Sequence, residues 1–158
     1  MYLNNRSNSF TENSILYLKP TFTADNIGEA NLKNGFTMSL WGGQPGDYCT
    51  MNSWYGCERT SGAGGNYLNP ITSARLRSVN SFNFKYGRVE FKAKVPKGDW
   101  IWPALWLLPR DNAYGSWPSS GEIDVMETRG NGPSYQFGGN DKFTSTLHWG
   151  PFFSENKY

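Results

Sequence analysis

Glu122, Ile123, Asp124, Val125, Met126 and Glu127 run consecutively, so three carboxyl groups fall within one apolar-interrupted hexapeptide. Side chains alternate between faces in an extended strand. Glu122 and Asp124, two apart, therefore share one face, and Ile123 and Val125 take the other. Glu127 lies five residues from Glu122, an odd spacing that a regular strand aims at the opposite face. One extra residue, a β-bulge around Val125-Met126, would return it to the acidic face, and bulges are over-represented beside active sites. Carboxyl groups this close raise one another's pKa, and burial among aromatic rings adds to the rise. One group then stays protonated near neutrality while another is ionised, which is the pair of states that glycoside hydrolysis requires. On spacing alone, a solvated acidic strand face or a divalent-cation site accounts for the same residues equally well.

The tryptophans move that balance. Seven are present, and Trp100, Trp102, Trp106 and Trp117 crowd the approach to Glu122. Sugars present flat C–H faces, so exposed indoles beside carboxylates suit a polysaccharide groove. Each indole also suits ordinary core packing, and at least one of Trp102 and Trp106 is expected to be buried in the sheet. A single His, His148, and two Cys are too few for a recurrent zinc or iron–sulfur ligand set, so no metal is expected. His148 itself fits a core histidine as well as a sugar contact. Cys49 and Cys57 lie in a turn-rich segment and either close one small loop as a disulfide or stay as two buried thiols. The disulfide is favoured, and it implies an oxidising compartment.

The elements that must position these groups read as strands. The chain has 158 residues, 37% of them apolar and 16% aromatic, with 18 Gly and 9 Pro spread from end to end. Short strands joined by many turns, an all-β sandwich or barrel, fit that composition. The clearest alternation is Arg88 to Val95, where Val89, Phe91, Ala93 and Val95 share a face expected to be core. Further strands are expected at Ile15–Phe22, with Pro20 marking an edge or an end, and at Phe36–Trp41, Arg75–Val79, Trp102–Pro109, Glu122–Glu127 and Thr144–Trp149. Residues 42–70 read as one long loop, a disulfide-pinned binding or rim loop. The net charge of +2 is too small and dispersed for a nucleic-acid or polybasic membrane partner. No apolar run approaches the roughly 18 residues of a membrane helix, and the start carries no signal-peptide core.

The run from Tyr86 to Asn131, with Glu-Ile-Asp-Val-Met-Glu preceded by Gly121, resembles the catalytic core of the family-16 glycoside hydrolases. The likeness is to laminarinase-like endo-1,3-β-glucanases and to invertebrate β-1,3-glucan-binding recognition proteins, whose motif has the bulged E-x-D-x-x-E form. Asn4 to Asn8, the Cys49–Cys57 loop and Thr146-Leu147-His148-Trp149 resemble the family in the same order. The resemblance implies a concanavalin-A-like jelly-roll sandwich of two curved antiparallel sheets, with the glycan cleft on the concave face. It implies Glu122 as nucleophile, Glu127 as general acid/base and Asp124 as the carboxylate that tunes both, in a retaining reaction without a cofactor. Trp102, Trp106 and Trp117 are the stacking candidates, and Arg6, Asn8 and His148 the candidates for bonds to sugar hydroxyls. Asn5-Arg6-Ser7 is also a glycosylation sequon, discounted because a glycan there would obstruct a cleft edge bounded by Arg6.

Hydrolysis of internal β-1,3-glucosidic bonds is thus the expected function, and binding without turnover, as in innate-immune recognition, is the alternative. Intact Glu122 and Glu127 favour the enzyme. The partner expected is a β-1,3-glucan, the protein is expected to be secreted, and its complete form monomeric. By the same resemblance, residues 1–158 are expected to be the N-terminal and central part of the domain, with the C-terminal strands and a signal peptide lying outside it. The isolated stretch is expected to aggregate through its unpaired strand edges.

Overall fold

Turn chemistry and proline placement set the strand boundaries in this computed structural model, which describes residues 1–41, 49, 51–62 and 64–158. Two units, Met1–Arg77 and Ser78–Tyr158, are distinguished. All pairs of named strands are antiparallel, in three two-stranded ladders and one three-stranded sheet. The protein is all-β in character, with only short helical turns between strands.

In the first unit, β1 (Ser9–Glu12) and β2 (Ile15–Leu18) form a hairpin. Asn13 and Ser14 turn the chain at φ 50° and 62°, the doubly positive pattern that matches strand twist in a two-residue loop. The strand expected over Ile15–Phe22 breaks at Lys19-Pro20, because proline has no N–H to give to a ladder. It resumes as β3 (Thr21–Phe22), followed by a four-residue helix, α1 (Ala24–Ile27). Next come β4 (Thr37–Ser39), β5 (Glu58–Thr60) and β6 (Ile71–Thr72); β4 pairs with β5, and β3 with β6. The stretch 42–70 is therefore not all loop, since β5 lies inside it; residues 42–48, 50 and 63 are outside the described residues.

Among the described residues, Leu32, Leu68 and Cys57 are the buried apolar side chains of this unit, which also holds a buried polar knot. The fully buried Asn8 directs its amide nitrogen to the Lys19 carbonyl and the Thr21 hydroxyl, each at 2.9 Å, and to the Thr72 carbonyl at 3.3 Å. The Thr21 and Thr72 hydroxyls meet at 2.9 Å. Asn8, expected to reach sugar hydroxyls, is thus spent on tying the β1–β2 hairpin to β3 and β6, while Arg6 is exposed.

The Cys49–Cys57 disulfide is formed, with a Cα–Cα distance of 5.3 Å, and Cys57 also accepts the Leu40 N–H at 2.8 Å. The bond closes a short loop, so reducing it is expected to lower stability by only about 2–3 kcal/mol. Thermal melts with and without reductant, alongside peptide mapping under non-reducing conditions, measure this. Two alkylatable thiols in oxidised protein would refute the pairing.

In the second unit, β7 (Ala104–Leu107), β8 (Glu122–Thr128) and β9 (Phe143–His148) form a sheet with β8 at the centre. Two expected strands do not form. Arg75–Val79 and Arg88–Val95 are not strands among the described residues. Val89 and Val95 are half-buried while Phe91 and Ala93 are exposed, because alternation selects a face but only a neighbouring strand can satisfy the backbone and complete a sheet.

Candidate active site

The β8 register decides where its carboxylates point. Towards β7, Leu107 faces Ile123 and Trp106 faces Asp124, but Leu105 then faces Met126 and Ala104 faces Glu127, which leaves Val125 as the extra residue. Towards β9, Glu122 pairs with His148, Asp124 with Thr146 and Glu127 with Thr144, so Val125 and Met126 together oppose Ser145. Ser145 Oγ donates to the bulged Val125 carbonyl at 2.8 Å and satisfies a group that the ladder has abandoned. Residues 144, 146 and 148 alternate regularly on β9, so their partners Glu127, Asp124 and Glu122 all lie on one face. The bulge required by the odd spacing is present at Val125-Met126.

Burial and neighbours then differentiate the three acids. Asp124 is only 3% exposed, and its Oδ2 faces His148 Nε2 at 3.2 Å. Asn156 Nδ2 lies 2.9 Å from His148 Nδ1. The Asn156 amide thus lies against Nδ1 and leaves Nε2 facing Asp124. Glu122 is half-buried. Burial holds its carboxyl above the ordinary value, the neighbouring Asp124 charge pushes it the same way, and the Trp117 indole N–H and His148 pull it back down. Glu127 accepts a hydrogen bond from Trp102 Nε1 at 3.0 Å.

The indoles divide along the sheet. Trp102 is exposed beside Glu127, Trp106 is half-buried on β7 opposite Asp124, and neither is fully buried. Trp117 is half-buried, with its ring 5.6 Å from those of His148 and Phe153, at the Glu122 end. A donor set of Glu122, Asp124 and His148, with ligand atoms within 4.8 Å of one another, also has the chemistry to hold a divalent cation. Asn156, Arg129 and Ser145 went unnoticed in the sequence. Only Arg129 carried a signal, two residues beyond Glu127; the other two act through pairings that no local pattern reveals.

An all-β chain whose central strand lines up three carboxylates beside exposed indoles has the architecture of a carbohydrate-active domain. Residues 50–139 match a family profile described as "XgeA-like, catalytic GH16 domain", and the chain belongs to glycoside hydrolase family 16. It is 53% identical over 158 residues to a beta-1,3-glucan-binding protein of Penaeus monodon, a match covering 98% of this chain and 42% of that protein. It is 48% identical over 79 residues to glucan endo-1,3-beta-glucosidase A1 of Niallia circulans, covering 50% of this chain and 11% of the relative. It is 42% identical over 89 residues to a glucan endo-1,3-beta-glucosidase of Cryptopygus antarcticus, covering 54% of this chain and 30% of the relative. The chain thus spans less than half the length of each of these relatives. No solved structure matches it. Among the described residues, no helix is long and apolar enough to cross a membrane.

Proposed function

We propose that this site hydrolyses internal β-1,3-glucosidic bonds of laminarin-like glucans with retention of configuration, in a secreted protein. The observation that carries the reading is the bulged strand that brings Glu122, Asp124 and Glu127 onto one face. Glu122 attacks the anomeric carbon, and the glycosyl-enzyme ester forms as Glu127 gives its proton to the departing glycosidic oxygen. Glu127 then takes a proton from the water that cleaves the ester. Asp124, buried between them and held by His148, sets the field in which both change protonation. Trp102, Trp106 and Trp117 supply apolar faces for glucose.

In this reading residues 1–158 are the N-terminal and central part of a jelly-roll domain, monomeric when whole. Its second sheet covers the face of β8 and β9 where Ile123 and Leu147 are 46% and 60% exposed. A reducing-sugar assay of the completed domain on laminarin, mixed-linkage glucan, agarose and carrageenan tests the function, with laminarin expected to be cleaved fastest. Release from agarose or carrageenan alone would overturn it.

The second reading, β-1,3-glucan binding without turnover, is favoured by the name of the Penaeus monodon relative. Retention on insoluble β-1,3-glucan with no sugar released from laminarin would establish it over the first.

His148 offers a narrower check. It lowers the Glu122 pKa, so His148→Ala is expected to let that pKa rise further. The nucleophile must be ionised to attack, so the acid limb of the kcat/KM profile is expected to move to higher pH. Losing the partner of a buried carboxyl is also expected to cost about 1–3 kcal/mol in stability. An unmoved acid limb would show that His148 does not act on Glu122.

A further inference from the structure

Asn5 heads the one Asn-x-Ser/Thr triplet of the chain, Asn5-Arg6-Ser7, in the turn that leads into β1. Asn5 Oδ1 accepts the Ser7 N–H at 2.9 Å, and the Asn5 carbonyl accepts the N–H groups of Asn8 and Ser9, each at 2.9 Å. Both oxygens of Asn5 are thus committed to the turn. Its amide nitrogen, Nδ2, donates to no protein group among the described residues. Asn5 is half-buried, while Arg6 and Ser7 are exposed.

The objection to a glycan at this turn assumes that Arg6 borders the glucan. The fixed polar groups of the turn serve the fold instead. Asn8, the other residue here expected to meet sugar hydroxyls, is sealed among Lys19, Thr21 and Thr72, and Asn5 closes the turn that delivers Asn8 to that knot. An independent observation concerns the compartment. The Cys49–Cys57 bond is formed, and disulfides persist where the surroundings are oxidising, as they are along the secretory route on which Asn-x-Ser triplets receive glycans.

We propose that Asn5 is an N-glycosylation site, whose Nδ2 receives an oligosaccharide from a lipid-linked oligosaccharide diphosphate. The bond between the anomeric carbon of the sugar and the diphosphate oxygen breaks, and a bond from that carbon to Nδ2 forms. Nδ2 gives up one proton, and the lipid diphosphate departs. The product is still an amide. Its Oδ1 goes on accepting from Ser7, so attachment costs the turn none of its hydrogen bonds. Ser7 serves the turn through its backbone N–H, which leaves free the hydroxyl that the acceptor triplet requires two residues after Asn. Arg6 in the middle position meets the condition that this residue not be proline. The proposal rests on the secreted reading above and is independent of the choice between hydrolysis and binding.

Expression of the completed domain in insect cells, behind a heterologous secretion signal, tests it with wild type, Asn5→Gln, Ser7→Ala and Ser7→Thr. Mass spectrometry reads the peptide that spans Asn5 before and after peptide-N-glycosidase, which removes the glycan and leaves Asp in place of the modified Asn. Most of the secreted wild-type and Ser7→Thr protein is expected to carry the glycan, and Asn5→Gln and Ser7→Ala to lose it completely. Ser7→Ala keeps the backbone N–H that Asn5 Oδ1 accepts, so it is expected to melt within a few degrees of wild type and to separate loss of the glycan from loss of the turn. Secreted wild-type protein with an unmodified Asn5 peptide would overturn the proposal, as would a glycan that persists in Ser7→Ala. The added signal forces entry into the secretory route, so these outcomes do not depend on where the protein resides by itself. The secreted reading fails separately, if the protein fractionates with the cytosol of the cells that naturally make it.

Discussion

Replacing Glu122 with Gln in the completed domain is expected to reduce laminarin hydrolysis by roughly 10⁴-fold or more while leaving glucan affinity within a few-fold of wild type. The amide keeps the shape and much of the hydrogen bonding of the carboxylate but cannot form the ester with the anomeric carbon. The same change is expected to stabilise the protein at neutral pH. Burial and the Asp124 charge hold the Glu122 pKa above its ordinary value. Between the ordinary and the raised pKa the folded chain keeps a proton that the unfolded chain has released, so stability falls as pH rises through that window. Gln has no charge to bury. The variant should therefore melt above wild type at neutral pH, and the advantage should shrink on acidification below the ordinary glutamate range. Melting curves across pH, read beside the hydrolysis rate, measure both effects. A variant that hydrolyses laminarin at the wild-type rate would remove Glu122 from the nucleophile's role.

Glu127→Ala is expected to slow laminarin hydrolysis by about 10²–10⁴-fold, with a far smaller loss on aryl β-glucosides whose leaving groups need no proton. The difference between substrates, more than the size of either loss, identifies an acid. Equal losses on laminarin and on the activated glycosides would argue that Glu127 only positions the chain. The fold should tolerate the change: Trp102 is 63% exposed, so the indole N–H that loses Glu127 turns to water, at a stability cost within about 0.5 kcal/mol.

The hexapeptide Glu122–Glu127 was legible because two periodicities conflict within it. The first two acids obey the alternation of a strand, the third breaks it, and a bulge is the smallest irregularity that restores a common face. The turn-rich, aromatic composition likewise reads as β structure, and the Cys49–Cys57 bond lay within reach of a short loop. The Arg88–Val95 alternation was as clear, yet no ladder forms there among the described residues. A pattern of side chains says which face is apolar and carries no information on whether another strand arrives beside it.

What the sequence determined by itself, then, is the chemistry available and the local geometry that follows from two-residue periodicity: three acids on one strand, indoles near them, and turns between short strands. The tertiary structure alone decided how each group is used. Asn8 and His148 are both single polar residues with donors to offer. One is sealed into the β1–β3–β6 knot; the other is brought to Asp124 by β9 and oriented by Asn156 from the segment beyond. Trp100 and Trp102 stand two apart, but only the loop braced by Asn131 holds the first in a left-handed conformation, while the second meets Glu127. Desolvation, hydrogen-bond partnership and the Coulomb field at a carboxyl depend on atoms brought together from distant parts of the chain, and those distances are a property of the fold.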